Sequence, residues 1–191
     1  MSRELYIVGG SRTPFCKFNT LLGDEPLVNL GTSPVKSILS SAKLDPSYVD
    51  EVIFGCCNQP TTTLGNIART ISLQSGIPQE VPAVSVHRNC ASGFEAITYA
   101  YDKAVAGRGD VFVAGGVESM SQAPFLFSRD AVKKFTDLAR ARSPLSKIRL
   151  LTKFRPKDFS PQVSLKLGMH DSTCDMNMGQ TAELLAREFD I

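Results

Sequence analysis

Four short apolar runs alternate with helix-length stretches over the first part of the chain. The runs are "ELYIVGG", "VDEVIFGCC", "VPAVSVH" and "DVFVAGG", all rich in residues that favour β-strands. The stretches between them, at about 26–44, 63–74 and 92–106, have the length and periodicity of helices. Because near-continuous apolar strands indicate a sheet buried on both faces, this pattern predicts a layered α/β domain, with a parallel or mixed sheet, over residues 1–121.

The remaining residues, 122–191, have a different character. They contain four prolines and only weak helical periodicity until a helical signal returns at "GQTAELLAREF". Residues 129–166 carry eleven basic and three acidic residues, a net charge of +8 in a chain whose overall charge is +2. We therefore expect a partial, mostly helical second domain whose basic segment lies outside the packed core.

The basic segment has three candidate interpretations. It could contact the phosphates of a ligand, lie on an anionic membrane surface, or be a solvated face without a ligand. In "LSKIRLLTKF", the residues Leu145, Ile148 and Leu151, with Phe154 as a further candidate, fall near one helical face, and basic residues surround them. Its only aromatic residues are Phe135, Phe154 and Phe159, with Phe127 just before it, and no nucleic-acid module is recognisable, so we do not expect nucleic acid as a partner.

A single cysteine interrupts the pattern in "SVHRNCASGFEAI". If "VPAVSV" is a strand and a helix begins at Ser92, with Ser92 and Glu95 as a capping box, then Cys90 lies at the helix N-terminus. Backbone N–H groups there favour a thiolate and an oxyanion formed beside it. The small residues Ala91 and Gly93 would allow a substrate to approach closely.

The helix alone is a weak activator of this thiol. A helix terminus contributes about 0.3–1 kcal/mol, and up to ~2 kcal/mol in favourable geometry, which lowers a thiol pKa by roughly one unit. Efficient nucleophilic catalysis therefore needs a base. The simpler alternative is an inert buried thiol that fills space at a strand end.

Other residue patterns predict little additional chemistry. The five cysteines include no paired C-x-x-C spacing, so we do not expect a metal site, and their odd number without an export signal favours reduced thiols over a disulfide framework. Cys56 and Cys57 are interpreted as core or pocket-wall thiols, and His87 as a strand-end residue. No signal peptide or long apolar span is evident, which favours a cytoplasmic location.

Four segments resemble signatures of the thiolase family. "NCASGFEAI" is similar to the segment around the acyl-accepting cysteine, "GGSRTPF" to the N-terminal strand and turn, and "AGGVESMS" to a further signature. "NMGQTAE" resembles the helix start inside the CoA-binding loop domain, and the basic segment is closest to the thiolase subunit of multifunctional fatty-acid β-oxidation complexes. The resemblance covers nearly the whole chain and implies a thiolase-type half-domain (βαβαβαβ) followed by a partial loop domain.

The resemblance also implies a reaction. In thiolases the cysteine attacks a 3-ketoacyl-CoA, releases acetyl-CoA and holds the shortened acyl group as a thioester, which a second CoA removes; the reverse reaction condenses two acyl-CoA molecules. By residue match Cys90 is the nucleophile, its own N–H supplies part of an oxyanion site, and Met178 lines the acyl and pantetheine pocket. CoA is then a substrate and no separate cofactor is expected. Implied partners are a second copy of the chain, paired near residues 82–87, and a β-oxidation partner subunit.

Two departures from the family pattern qualify this reading. Many biosynthetic thiolases have histidine where this chain has Asn177, which argues against a short-chain acetoacetyl specificity. The Gly-His-Pro and Cys-x-Gly motifs that supply the base and a second cysteine in the family are not in the sequence, so we expect a truncated chain that does not turn over by itself. The alternatives are a ketoacyl synthase-type condensing enzyme and a catalytically silent scaffold or lipid-transfer module.

Overall fold

The computed structural model describes residues 4–58 and 65–191, and it separates into two compact units at residues 1–122 and 123–191. Helices and strands alternate along the first unit, so the predicted α/β fold class is confirmed. The start of the second predicted helix, at residues 63–64, lies outside the described residues. The elements are α1 (Leu27–Ser41), β1 (Glu51–Gly55), α2 (Ile67–Gln74), β2 (Ala83–Val86), α3 (Ser92–Val105) and β3 (Phe112–Gly116).

The three strands form a parallel sheet in the order β2-β1-β3. Val52 of the central strand β1 is paired with Ala83 of β2 on one side and with Val113 of β3 on the other. All five residues of β1 are buried, as the uninterrupted apolar run predicts for a strand covered on both faces. Of the two sheet types that the sequence allowed, the described strands of this unit form the parallel one.

Helices cover both faces of this sheet. Successive residues of a strand point to opposite faces, so Val52 and Phe54 of β1 pack with the buried residues of α1 and α2. Ile53, between them, packs against Ala96 and Ala100 of α3 on the other face. The unit therefore has three layers, and α3 covers one face by itself among the described helices.

The N-terminal run "ELYIVGG" was predicted to be a strand, and this prediction is wrong. Residues 4–10 have no strand structure, and Tyr6, Ile7 and Val8 are 73–92% exposed. β-Propensity reflects a fit to neighbouring strands more than an intrinsic backbone preference. No described strand pairs with this segment, so its apolar composition does not make it a strand here.

The second unit consists of small elements. It contains two antiparallel ribbons, β4 with β5 and β6 with β7, together with four helices, and the predicted C-terminal helix is confirmed as α7. The elements are β4 (Phe125–Leu126), α4 (Arg129–Arg140), α5 (Pro144–Leu151), β5 (Gln162–Val163), α6 (Ser164–Gly168), β6 (His170–Asp171), β7 (Met176–Asn177) and α7 (Met178–Phe189).

The basic segment was expected to lie outside the packed core, and the two hydrophobic core clusters contain none of its residues, but the segment takes part in a small aromatic cluster of its own. Phe135 of α4 has ring-centroid distances of 5.6, 5.0 and 5.9 Å to Phe127, Phe154 and Phe159. Asp158 is only 1% exposed, and its carboxylate accepts hydrogen bonds from Lys134 Nζ at 2.6 Å and from the Arg155 N–H at 2.7 Å. Burial of a charge is tolerated here because the charge is paired and hydrogen-bonded.

Within the described residues, no helix is long and apolar enough to cross a membrane.

The buried ion pair predicts a pH-dependent stability for the second unit. The Lys134 ammonium, followed by the Arg155 N–H, lowers the pKa of the Asp158 carboxyl. Its contribution is therefore fully present above the ordinary Asp pKa of about 4 and is lost as the pH falls through the lowered value. Asp158→Asn should reduce the melting temperature at pH 7 and flatten its decline below about pH 4.

The matched control is Asp137→Asn, which makes the same change at an exposed position of α4. Thermal unfolding followed by circular dichroism between pH 3 and pH 7 checks the prediction. Equal melting curves for the two variants across this range would contradict it.

Candidate active site

Cys90 lies on a tight turn between β2 and α3. The turn is closed by hydrogen bonds from the Ala91 N–H to the Arg88 carbonyl (3.0 Å) and from the Ser92 N–H to the Asn89 carbonyl (3.1 Å). Asn89 has a φ of 46°, in the left-handed region that asparagine adopts more readily than most residues. The turn leaves Cys90 exposed, directly before the first turn of α3, as the sequence predicts.

The predicted capping box of Ser92 and Glu95 is wrong. The N-cap residue is Ala91, and no side chain caps this end of α3. The Ser92 hydroxyl instead accepts from the Arg88 N–H (2.9 Å) and donates to the Asn89 carbonyl (2.6 Å). Glu95 Oε2 lies 3.0 Å from Arg88 Nε. Both side chains therefore contact the turn that carries Cys90 and do not cap the helix.

Glycines allow the start of α3 to approach the sheet closely. A Cβ atom on Gly55, the last residue of β1, would lie 2.2 Å from the Ser92 carbonyl oxygen and 2.6 Å from the Gly93 nitrogen. A Cβ on Gly116, the last residue of β3, would lie 3.1 Å from the Gly93 Cα. The first turn of α3 thus packs on the carboxyl ends of two parallel strands. Sequence reasoning missed Gly55 and Gly116, although each follows an apolar run at a position typical of a close backbone approach.

His87 connects the turn to the end of β1. The Asn89 N–H donates to His87 Nδ1 (3.4 Å), so Nε2 carries the ring proton in the neutral form and donates it to the Cys57 carbonyl (3.2 Å). The interpretation of His87 as a strand-end residue agrees with these contacts.

Two further thiols lie on the same edge of the sheet. Burial, followed by the charge of Glu118, raises the pKa of the Cys56 thiol to about 12, and Cys56 is a core residue. Burial, followed by the charges of Glu118 and Cys90, also raises the pKa of the exposed Cys57 thiol. Both neighbours are therefore held in the unreactive thiol form at neutral pH.

Met178, the other predicted site residue, belongs to the second unit. It is the first residue of α7 and contributes to an open groove of about 710 Å³, together with residues of β5, α6 and β6. Asn177 caps α7: its Oδ1 accepts from the Gln180 N–H, and Gln180 Oε1 accepts from the Asn177 N–H, both at 2.9 Å. The Asn177 side chain, at the position where the family pattern discussed above has histidine, therefore forms part of the capping box of α7.

Among residues 4–58 and 65–191, no three histidine, cysteine or acidic side chains lie close enough together to hold a metal ion.

Comparison with known proteins identifies the class to which this fold and turn belong. The family model described as "Thiolase, N-terminal domain" matches residues 5–191, so the chain belongs to the thiolase family. It is 35% identical over 188 residues to a 3-ketoacyl-CoA thiolase of Colwellia psychrerythraea and 38% identical over 130 residues to a 3-oxoadipyl-CoA/3-oxo-5,6-dehydrosuberyl-CoA thiolase of Escherichia coli. These alignments cover 98% and 68% of the chain.

Solved structures give the same result. Human mitochondrial 3-ketoacyl-CoA thiolase is similar with a TM-score of 0.77 and 30% identity over 96% of the chain. The acetyl-CoA acetyltransferase of Bacillus anthracis is similar with a TM-score of 0.78 and 28% identity over 97% of the chain. The chain spans about 42% of the length of the Colwellia relative and of both structures.

The close contact of Gly55 with the start of α3 predicts that a larger residue at this position destabilises the fold. Gly55→Ala should lower the free energy of unfolding by about 1–3 kcal/mol, because the methyl group meets rigid backbone of α3 and cannot be accommodated by a rotamer change. The control Gly10→Ala, where an added Cβ meets nothing within 4 Å, should change it by less than about 0.5 kcal/mol. Urea unfolding of both variants measures the difference, and equal values would show that α3 does not depend on this contact.

Proposed function

We propose that Cys90 is the acyl-accepting nucleophile of a thiolase and that the substrates are 3-ketoacyl-CoA and CoA. The observation that carries the proposal is the exposed position of Cys90 on the tight turn directly before α3, at the carboxyl ends of the parallel strands. Family membership supports it, because Cys90 matches the family's acyl-accepting cysteine.

The proposed chemistry proceeds through a thioester. The Cys90 sulfur attacks the 3-keto carbon, the bond between C2 and C3 breaks, and acetyl-CoA leaves after its C2 takes a proton. A second CoA thiol then attacks the acyl-cysteine and releases the shortened acyl-CoA. N–H groups at the start of α3 favour the negative oxygen of each tetrahedral intermediate, which is the contribution that a helix N-terminus is suited to make.

The described part of the first unit contains one histidine, His87, and its acceptor nitrogen is not free to take a proton from Cys90. Neutral imidazole has one acceptor nitrogen, and that of His87 is occupied by the Asn89 N–H. The other histidine, His170, belongs to the second unit, where its Nε2 lies 3.0 Å from Asp175 Oδ1. Without a base, we expect slow acylation and no steady-state turnover from these 191 residues.

Within the thiolase family, we propose more specifically that the chain belongs to the thiolase subunit of a multifunctional fatty-acid β-oxidation complex. The basic segment supports it, as do relatives named 3-ketoacyl-CoA thiolase. Asn177, at the position where many biosynthetic thiolases have histidine, supports a substrate preference different from that of short-chain biosynthetic thiolases. A β-oxidation partner subunit and a cytoplasmic location stay predictions.

CoA recognition is proposed for the second unit. Crystal structures of human mitochondrial 3-ketoacyl-CoA thiolase and of Acat5 thiolase from Ascaris suum were determined in complex with CoA. In this chain the groove beside Met178 combines apolar side chains with Lys166 and His170, which suit a pantetheine chain and a phosphate. Met178 as a pocket residue is part of this proposal.

A dimer through the β2 edge is proposed as well. Among the described strands, β2 pairs only with β1, so its other side has no strand partner, although the Ala83 carbonyl on that side accepts a hydrogen bond from Asn66 Nδ2 at 2.8 Å. Such an edge favours pairing with another chain. This agrees with the expectation of a contact between two copies near residues 82–87.

A peripheral contact with anionic membranes is the proposed role of the basic segment 129–166. Leu145, Ile148 and Leu151 on α5 are 53–78% exposed, and basic residues flank them. The fourth candidate of this stripe, Phe154, belongs instead to the aromatic cluster. An exposed apolar face bordered by cations supplies both the burial and the electrostatic attraction that interfacial binding needs.

Acyl transfer to Cys90 is tested by mass spectrometry. Incubation with acetoacetyl-CoA and, separately, with a longer-chain 3-ketoacyl-CoA should produce at most one acyl group per chain, on the peptide that contains Cys90, and the adduct should be absent from Cys90→Ala and present in Cys57→Ala. Sustained release of acetyl-CoA that depends on Cys90 would contradict the expected lack of turnover. An adduct on another cysteine, or none in any variant, would favour a catalytically silent scaffold.

Membrane contact is tested by co-sedimentation with liposomes of anionic or of neutral lipid. Arg149→Glu/Lys153→Glu should weaken binding to anionic liposomes by at least about tenfold, since each basic residue contributes about 1 kcal/mol near such a surface. The charge-matched control Lys17→Glu/Lys36→Glu changes two exposed residues of the first unit and should bind like the unmodified chain. Binding that is independent of lipid charge and of the first substitution pair would rule out this role.

A further inference from the structure

Glu118 makes two hydrogen bonds across the edge of the sheet that carries Cys90. It lies two residues beyond β3, and its Oε2 accepts from the N–H groups of Cys57 and Asn58, both at 3.0 Å. Cys57 and Asn58 follow β1, so one carboxylate joins the ends of two neighbouring strands. Glu118 lies in "AGGVESMS", a segment whose residue pattern alone predicts no chemical role.

The same site contains three thiols that must be distinguished. Cys57 and Cys90 are both exposed, and their charges interact, since ionisation of Cys90 disfavours ionisation of Cys57. A thiol without additional restraint beside the nucleophile would compete with it for an electrophile or for the acyl group. Exposure alone therefore does not select Cys90 over Cys57.

We propose that Glu118 is a positioning residue that selects the nucleophile: its carboxylate fixes the backbone of Cys57 and Asn58 at the sheet edge, and its negative charge makes Cys57 less reactive than Cys90. This inference rests on the proposed function of Cys90.

Electrostatics supports the selective part of this role. Burial is the largest cause that raises the pKa of Cys56 and of Cys57, and the carboxylate of Glu118 is the second largest. Cys56 is buried and inaccessible in any case, so the effect matters for the exposed Cys57. Two like charges a few ångströms apart interact appreciably even in high dielectric, and salt weakens this interaction.

Two substitutions separate the hydrogen bonds from the charge. Glu118→Gln retains an oxygen that can accept from both N–H groups but removes the negative charge, whereas Glu118→Ala removes both. Glu80→Gln makes the same change as the first variant at an exposed position of the same unit and is the matched control.

The experiment measures iodoacetamide labelling of each cysteine by peptide mapping between pH 6.5 and pH 9.5. In Glu118→Gln, Cys57 should label about two- to fivefold faster near pH 7.5, with its pH midpoint shifted down, because loss of the charge increases the thiolate fraction and only part of this gain is offset by lower nucleophilicity. The difference should shrink in 1 M salt. Glu118→Ala should accelerate Cys57 further, since it also releases the backbone.

An unchanged rate and pH midpoint of Cys57 in Glu118→Gln, equal to those in Glu80→Gln, would overturn the proposal even if Glu118→Ala proved too unstable to study. Repeating the measurement in a Cys90→Ala background keeps it independent of acyl transfer. If Cys90 is not acylated but Glu118→Gln still accelerates the labelling of Cys57, the proposed function is refuted. If Cys90 is acylated but Glu118→Gln leaves the labelling of Cys57 unchanged, only this inference is refuted.

Discussion

The backbone contact between the start of α3 and the carboxyl ends of β1 and β3 determines the rest of the first unit. It exists because Gly55 and Gly116 have no side chain to separate the helix from the strands. With α3 at this distance, Ala96 and Ala100 can pack on Ile53 across the sheet. The turn that precedes α3 must then be short, and Asn89 enters the left-handed region to close it. A small steric requirement at two glycines thus places an exposed thiol at the edge where three parallel strands end.

The second unit is stabilised by a different interaction. Its basic segment has too little apolar surface for a conventional core, and the net charge of +8 opposes compaction. Four phenylalanine rings supply a small aromatic cluster, and the buried Asp158 carboxylate neutralises Lys134 beside it. The remaining cations stay at the surface next to the exposed apolar face of α5, so one segment both folds and presents a charged surface.

Hydrophobic periodicity was sufficient to predict β1, β2, β3 and the helices between them, because each buries an apolar face against a close neighbour. The same reasoning failed for residues 4–10, where strand formation depends on a pairing partner that the described sheet does not provide. The capping-box prediction for Ser92 also failed, because its hydroxyl bonds to backbone groups of the turn and does not cap the helix. Cys90 was found because its motif is local. Glu118 was missed because its partners are about 60 residues away in the sequence.

In the proposed function, reactivity at this sheet edge depends on differences between neighbouring thiols more than on the absolute acidity of one of them. A helix N-terminus changes a thiol pKa by only about one unit, which leaves a nucleophile weak without a base. The same edge, however, buries Cys56 and places the carboxylate of Glu118 against Cys57, so both competitors are suppressed. Selectivity for Cys90 can therefore be built into the strand ends themselves, whereas a high rate requires a base, and the acceptor nitrogen of His87 is already occupied by the Asn89 N–H.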